Sequence, residues 1–128
     1  MTFEFHAGCV WSDKLCRRLS FLDRDDNSSE HYFVMDRSED SPEQPVPDME
    51  NVYIERDDQG FGGYGGITHV VLARDSLTLR LGARMTSQMG GNDTLRIGFT
   101  LSDPDFRSLQ QVLELIMCGY ESCLETVL

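Results

Sequence analysis

The chain has 128 residues, 40% of them hydrophobic, and a net charge of −11: enough for one domain, residues 1–128, with its own core, and too little for two. No apolar run approaches the roughly 18 residues a membrane helix needs, and the N-terminal stretch Met1-Thr2-Phe3-Glu4-Phe5-His6 has neither the basic start nor the apolar run of a signal peptide. The expectation is a cytoplasmic protein that does not engage membranes. The acidity is local, because residues 23–58 carry 13 acids against Arg24, Arg37 and Arg56 while both flanks are close to neutral. Such a field speeds encounter with basic partners and repels nucleic acid. It also arises wherever a loop-rich segment keeps itself solvated.

In chain order, residues 3–11 alternate Phe3, Phe5, Ala7, Cys9 and Trp11 against Glu4, His6 and Gly8, the period of a single half-buried strand. The short apolar runs 19–22 and 32–35 flank Asp23-Arg24-Asp25-Asp26-Asn27-Ser28-Ser29 and predict a hairpin with a long acidic loop. Residues 36–51 offer almost nothing to bury, and Pro42, Pro45 and Pro47 oppose helix and interior strand, so a flexible or extended linker is expected. A strand over 52–55 follows. Gly60, Gly62, Gly63, Gly65 and Gly66 then crowd around Phe61 and Tyr64 and suggest a loop with unusual backbone angles. Residues 67–73 and 77–81, joined by Arg74-Asp75-Ser76, form an antiparallel hairpin. Residues 83–89 suit a short helical turn, and 95–101 alternate as another strand after Gly90-Gly91-Asn92-Asp93.

Ser102-Asp103-Pro104-Asp105 is a helix start: a side-chain oxygen to cap free amides, proline for the first turn, and carboxylates matched to the helix dipole. Phe106, Leu109, Leu113, Ile116, Met117 and Tyr120 then recur at spacings of three and four as one apolar stripe, with Gly119 as the stop. One amphipathic helix needs a sheet to cover its stripe. The fold class expected is α+β, a mostly antiparallel sheet of about six or seven strands with the C-terminal helix packed on one face.

No constellation demands catalysis. Cys9, Cys16, Cys118 and Cys123 have neither C-x-x-C nor zinc-knuckle spacing; they are expected to stay reduced, with Cys9 and Cys118 on apolar faces. The glycine segment lacks the P-loop pattern and its lysine, and Lys14 is the only lysine in the chain. His6, His31 and His69 occupy strand positions without a neighbouring nucleophile motif, and Arg74, Arg80, Arg96 and Arg107 are spread singly, so no nucleic-acid footprint is present. No cofactor or metal is expected. Asp57 and Asp58 could join a metal site only with ligands from elsewhere. Aromatics on a glycine-rich segment, Phe61 and Tyr64, are either core plugs or anchors for a partner.

Val52-Tyr53-Ile54-Glu55-Arg56-Asp57-Asp58-Gln59, Gly63-Tyr64-Gly65-Gly66-Ile67, Leu77-Thr78-Leu79-Arg80-Leu81, Leu95-Arg96-Ile97-Gly98-Phe99 and the helix over 106–116 resemble the Immunity protein 10 family of bacterial polymorphic toxin systems. The resemblance spans residues 52–117. It implies a small cytoplasmic protein that binds and neutralises a toxin without catalysis, and it carries no family-wide binding residues. The acidic segment lies mostly outside that span and is expected to be the partner-specific part. Read with the resemblance, the residues favour an acidic docking surface for a basic toxin domain, with Asp25, Asp26, Asp57, Asp58, Phe61 and Tyr64 as candidate contacts. Two other readings stand beside it: an adaptor or chaperone for a secreted effector, and a small metal-dependent enzyme using Asp57, Asp58 and His69.

Overall fold

The computed structural model describes residues 1–24, 30–38 and 44–127. Among these it has ten strands: β1 (Thr2–Ala7), β2 (Cys9–Asp13), β3 (Arg18–Leu22), β4 (Tyr32–Arg37), β5 (Val52–Arg56), β6 (Asp58–Tyr64), β7 (Ile67–Ala73), β8 (Ser76–Leu81), β9 (Thr94–Phe99) and β10 (Leu124–Val127). Two α-helices accompany them, α1 (Ala83–Gln88) and α2 (Asp103–Ile116). The class is α+β, but the strands form two five-stranded sheets rather than one sheet of six or seven. The first is an antiparallel meander, β2-β3-β4-β5-β6. The second, β1-β9-β8-β7-β10, is antiparallel at its centre, with parallel pairs β1–β9 and β10–β7 at its edges.

Both sheets turn their alternate apolar residues into one shared core. Leu19, Phe21, Phe33, Met35 and Ile54 come from the meander, and Val70, Leu77, Leu79, Leu95 and Ile97 from the mixed sheet, all fully buried. Phe21 and Phe99 meet across the gap with ring centroids 6.2 Å apart, and Phe99 in turn meets Phe106 of α2 at 6.5 Å. Helix α2 packs over β2 and β3 with Phe106, Leu109, Val112, Leu113 and Ile116 buried. Its start follows the sequence signal, the Ser102 hydroxyl accepting from the Asp105 amide at 3.3 Å, and Gly119 beyond its end has the positive φ (92°) that a helix stop favours.

Three expectations change. The single strand over 3–11 is two strands in different sheets, broken at Gly8, where a Cβ would lie 2.7 Å from the Asp23 carbonyl oxygen. Past that break Val10 packs toward the core and Trp11 is turned out, 59% exposed. The glycine segment is not a loop but the edge strand β6, and only Gly65 and Gly66 take positive φ. Its glycines admit α1: a Cβ on Gly66 would stand 2.5 Å from Met85 Cβ, and Met85 is completely buried.

The expected linker over 36–51 does have groups to bury. Arg37 ends β4 at 0% exposure, and Met49 is buried at the end of the 3-10 turn Pro47–Met49. The Tyr120 hydroxyl accepts from the Val46 amide at 2.9 Å and donates to Asn51 at 2.5 Å. Residues 39–43, including Pro42, lie outside the described part.

Arg37 shows why a charge is tolerated there. Its guanidinium donates to the carbonyls of Ile116, at 3.1 Å, and Cys118, beyond the last turn of α2, and it lies over the Tyr120 ring. Helix C-termini leave carbonyls unsatisfied and carry partial negative charge, so a cation placed there answers both. Arg37→Met removes these donors and strands the carbonyls in the core. Urea denaturation should show a loss of about 2–4 kcal/mol, with α2 the first segment to lose amide protection in hydrogen exchange.

Candidate functional site

Strand alternation and register assemble the outward face of the meander sheet. Trp11, Ser20, Val34, Glu55 and Gly62 stand opposite one another in turn, one row across all five strands. The adjoining row runs Asp13, Arg18, Asp36, Tyr53, Tyr64. Leu22 faces Tyr32 beside the first row. At about 4.8 Å between strands, each row is about 19 Å long. Tyr64 is 58% exposed, and its ring lies 5.0 Å from that of Tyr53. Arg18 pairs with Asp36 at 3.1 Å. The face is thus aromatic and acidic, with one arginine neutralising one acid.

Glu55 is at its centre. One carboxylate oxygen accepts from the Tyr32 hydroxyl and the other from the Tyr53 hydroxyl at 2.5 Å. Burial, donation to Glu55 and the negative charges of Glu55 and Asp58 push the Tyr32 phenol well above the usual tyrosine range. Donation to Glu55, then burial and the charges of Glu55 and Asp36, push Tyr53 up to about 12. Both hydroxyls therefore remain donors. Among the described residues, no arginine, lysine or histidine lies within ion-pair distance of Glu55.

Below this face the chain makes a tight corner at Arg56-Asp57. Arg56 is buried between two rings, its guanidinium carbon 4.5 Å from the Phe3 centroid and 4.2 Å from that of Phe61. It donates to the Met89 carbonyl at 2.9 Å and to Asp57 at 3.1 Å. Asp57 has a positive φ of 64° at the register shift between β5 and β6. Its carboxylate also accepts from the Tyr32 amide at 3.1 Å and meets His31 Nδ1 at 3.3 Å.

The expected contact residues therefore divide. Asp58 and Tyr64 are exposed. Asp57 and Phe61 turn to Arg56, so Phe61 behaves as a plug. Asp25 and Asp26 lie outside the described residues. The carboxylate of neighbouring Asp23 accepts from the amides of Glu30 and His31, both at 3.2 Å, close to the corner residue Asp57 that His31 also meets. Asp23 and Asp57 thereby engage the same short stretch, His31 and Tyr32 bonding to Asp57 while the Glu30 and His31 amides donate to Asp23.

Residues 57, 58 and 69 are not gathered into a metal site. His69 lies on β7 in the other sheet and meets Glu125 at 3.3 Å, and among the described residues no three His, Cys, Asp or Glu are grouped to hold an ion. Nor is any helix there long and apolar enough to cross a membrane. Cys9 and Cys118, expected on apolar faces, are half-buried.

Sequence reasoning missed Trp11, Tyr32, Tyr53 and Glu55. The signal was present in Val52-Tyr53-Ile54-Glu55, where the outward half of the alternation is a tyrosine and a carboxylate.

Fold and face together define a small two-sheet α+β protein whose outer meander face gathers tyrosines and carboxylates. Residues 6–107 match the family described as Immunity protein 10, and the chain belongs to it. The match begins well before residue 52, so the acidic segment lies within the family span rather than outside it. No curated protein matches the chain.

Two measurements check this geometry. Asp57→Ala leaves the buried Arg56 without its carboxylate and the Tyr32 amide without its acceptor, and should cost about 2–4 kcal/mol in urea denaturation. Because the Tyr32 and Tyr53 phenols ionise above the unfolded value of about 10, the folded chain keeps protons that the unfolded chain releases. That stabilisation is complete below about pH 10 and is lost as pH rises through the folded values. The urea midpoint should therefore fall on going from about pH 10 to pH 12, and fall less in Glu55→Gln.

Proposed function

We propose that this protein is an immunity protein: in the cytoplasm of the producing cell it binds a cognate toxin domain and neutralises it without catalysis. Family membership over residues 6–107 carries the reading. The outer face of the meander supplies suitable chemistry, because interface hot spots are enriched in tyrosine and tryptophan and an acidic field steers a basic partner into contact. The partner proposed is a toxin domain with a basic surface. Asp25, Asp26, Asp58 and Tyr64 are its proposed contacts, while Asp57 and Phe61 act from beneath by holding the corner next to Asp58.

Co-expression with the variable C-terminal domain of a large secreted protein encoded next to this gene tests the reading. Cells should survive only when this chain is present, and the two proteins should co-purify. Survival unchanged by this chain would refute immunity, and co-purification without protection would favour an effector adaptor. With the complex in hand, Asp25→Asn, Asp26→Asn and Asp58→Asn combined should slow association several-fold at low salt and flatten its salt dependence. An unchanged on-rate would sink acidic steering.

A further inference from the structure

The outer meander face can be assigned a particular occupant. We propose that Glu55, held between Tyr32 and Tyr53 and rimmed by Tyr64, is the seat of an arginine side chain presented by the protein partner, with Trp11 as a second contact on the same face. This rests on the binding reading above and deepens it.

Four observations carry the assignment. Two tyrosine hydroxyls hold the Glu55 carboxylate, one on each oxygen. An ionised carboxylate offers about four lone-pair positions, so about two remain, one on each oxygen, and a planar guanidinium forks onto two oxygens where an ammonium acts as a point charge. Next, the strand neighbour of Glu55 is Gly62, so no side chain from β6 covers the carboxylate on that side. A Cβ there would stand 3.1 Å from the Tyr53 hydroxyl and 3.2 Å from Glu55 Cβ.

The rim is aromatic. The Tyr53 and Tyr64 rings, tilted 57° to each other at 5.0 Å, offer π surface beside the carboxylate, and guanidinium stacks on such surface. This chain uses the same pairing internally: Arg56 lies between Phe3 and Phe61 and bonds Asp57, and Arg74 lies over Phe106 and bonds Asp103 at 2.8 Å. Finally, among the described residues no cation lies within ion-pair distance of Glu55, unlike Asp36, which is already engaged by Arg18. Glu55 and exposed Asp58 leave unneutralised charge for a partner to complement. Trp11, three strands along the row from Glu55, is about 14 Å away, a spacing that separates two anchors on one interface.

Two arms test the site. In the first, tyrosine-ring carbon–proton NMR follows titration with N-acetyl-arginine amide, with the lysine and citrulline analogues as comparisons. Saturable shifts of Tyr32, Tyr53 and Tyr64 are expected with arginine, weaker ones with lysine and none with neutral citrulline; the arginine response should vanish in Glu55→Gln. No saturable response, or the same response in Glu55→Gln, would overturn the assignment.

In the second arm, affinity for the toxin domain is compared between the wild type and Glu55→Gln, each with its fold verified by its NMR spectrum. The variant should bind about 30-fold or more weakly, as truncating one side of a buried charged contact does. Equal affinity of both proteins would overturn the arginine seat and leave the immunity reading standing. A wild type that binds no toxin domain would overturn that reading, with the arginine titration still deciding the site.

Discussion

The buried Arg56–Asp57 pair is the constraint on which the rest of this structure depends. A charge removed from water costs several kcal/mol unless other groups replace its hydration. Here neighbours replace it at both terminal nitrogens of Arg56, while the buried Nε has no hydrogen-bond partner among the described residues. Phe3 reaches in from β1, Phe61 from β6, the Met89 carbonyl from beyond α1, and Asp57 from the corner itself. Asp57 in turn holds the start of β4 through the Tyr32 amide and the His31 ring. One ion pair thereby ties both sheets and the α1 segment together. The left-handed backbone at Asp57, a conformation that costs of order 1–3 kcal/mol, persists because all these contacts fix it.

That corner also sets which side chains the meander displays. The register shifts between Glu55 and Arg56, so Glu55 keeps the outward position while Arg56 and Phe61 turn in and Tyr64 turns out. The local acidity of residues 23–58 consequently has several origins. Asp23 accepts from the Glu30 and His31 amides, Asp57 neutralises a buried arginine, and Asp36 pairs with Arg18. Glu30, Glu50, Glu55 and Asp58 are left as charge that the described part of the protein does not use for an ion pair. The opposite sheet is different in character, with Arg96 paired to Glu4 at 3.2 Å and His69 against Glu125 on its outer side.

Much of this was legible in the sequence where a local rule governs. The capping of α2 by Ser102, its stripe from Phe106 to Ile116, the 67–81 hairpin and the short helix after Gly82 all follow from spacing and turn chemistry. What escaped depended on contacts between distant segments. Alternation over 3–11 carries no sign that Asp23 will cross Gly8 and send the two halves to different sheets. Glycines around Phe61 and Tyr64 look like a loop until α1 is laid against them. Arg37 reads as a solvated charge because the carbonyls it satisfies lie some eighty positions away, at Ile116 and Cys118. The same limit hid the face itself: Trp11, Tyr32, Tyr53 and Glu55 become neighbours only through the meander's register.

The central claim is that the partner lands on the outer meander face and not on the mixed sheet. Side-chain NMR of the complex with the cognate toxin domain tests it most directly. The account predicts that the resonances of Trp11, Tyr32, Tyr53 and Tyr64 move or broaden on binding, while His6 and His69 on the mixed sheet stay where they are. Movement confined to His6, His69 and their neighbours, with the four meander aromatics unchanged, would contradict it.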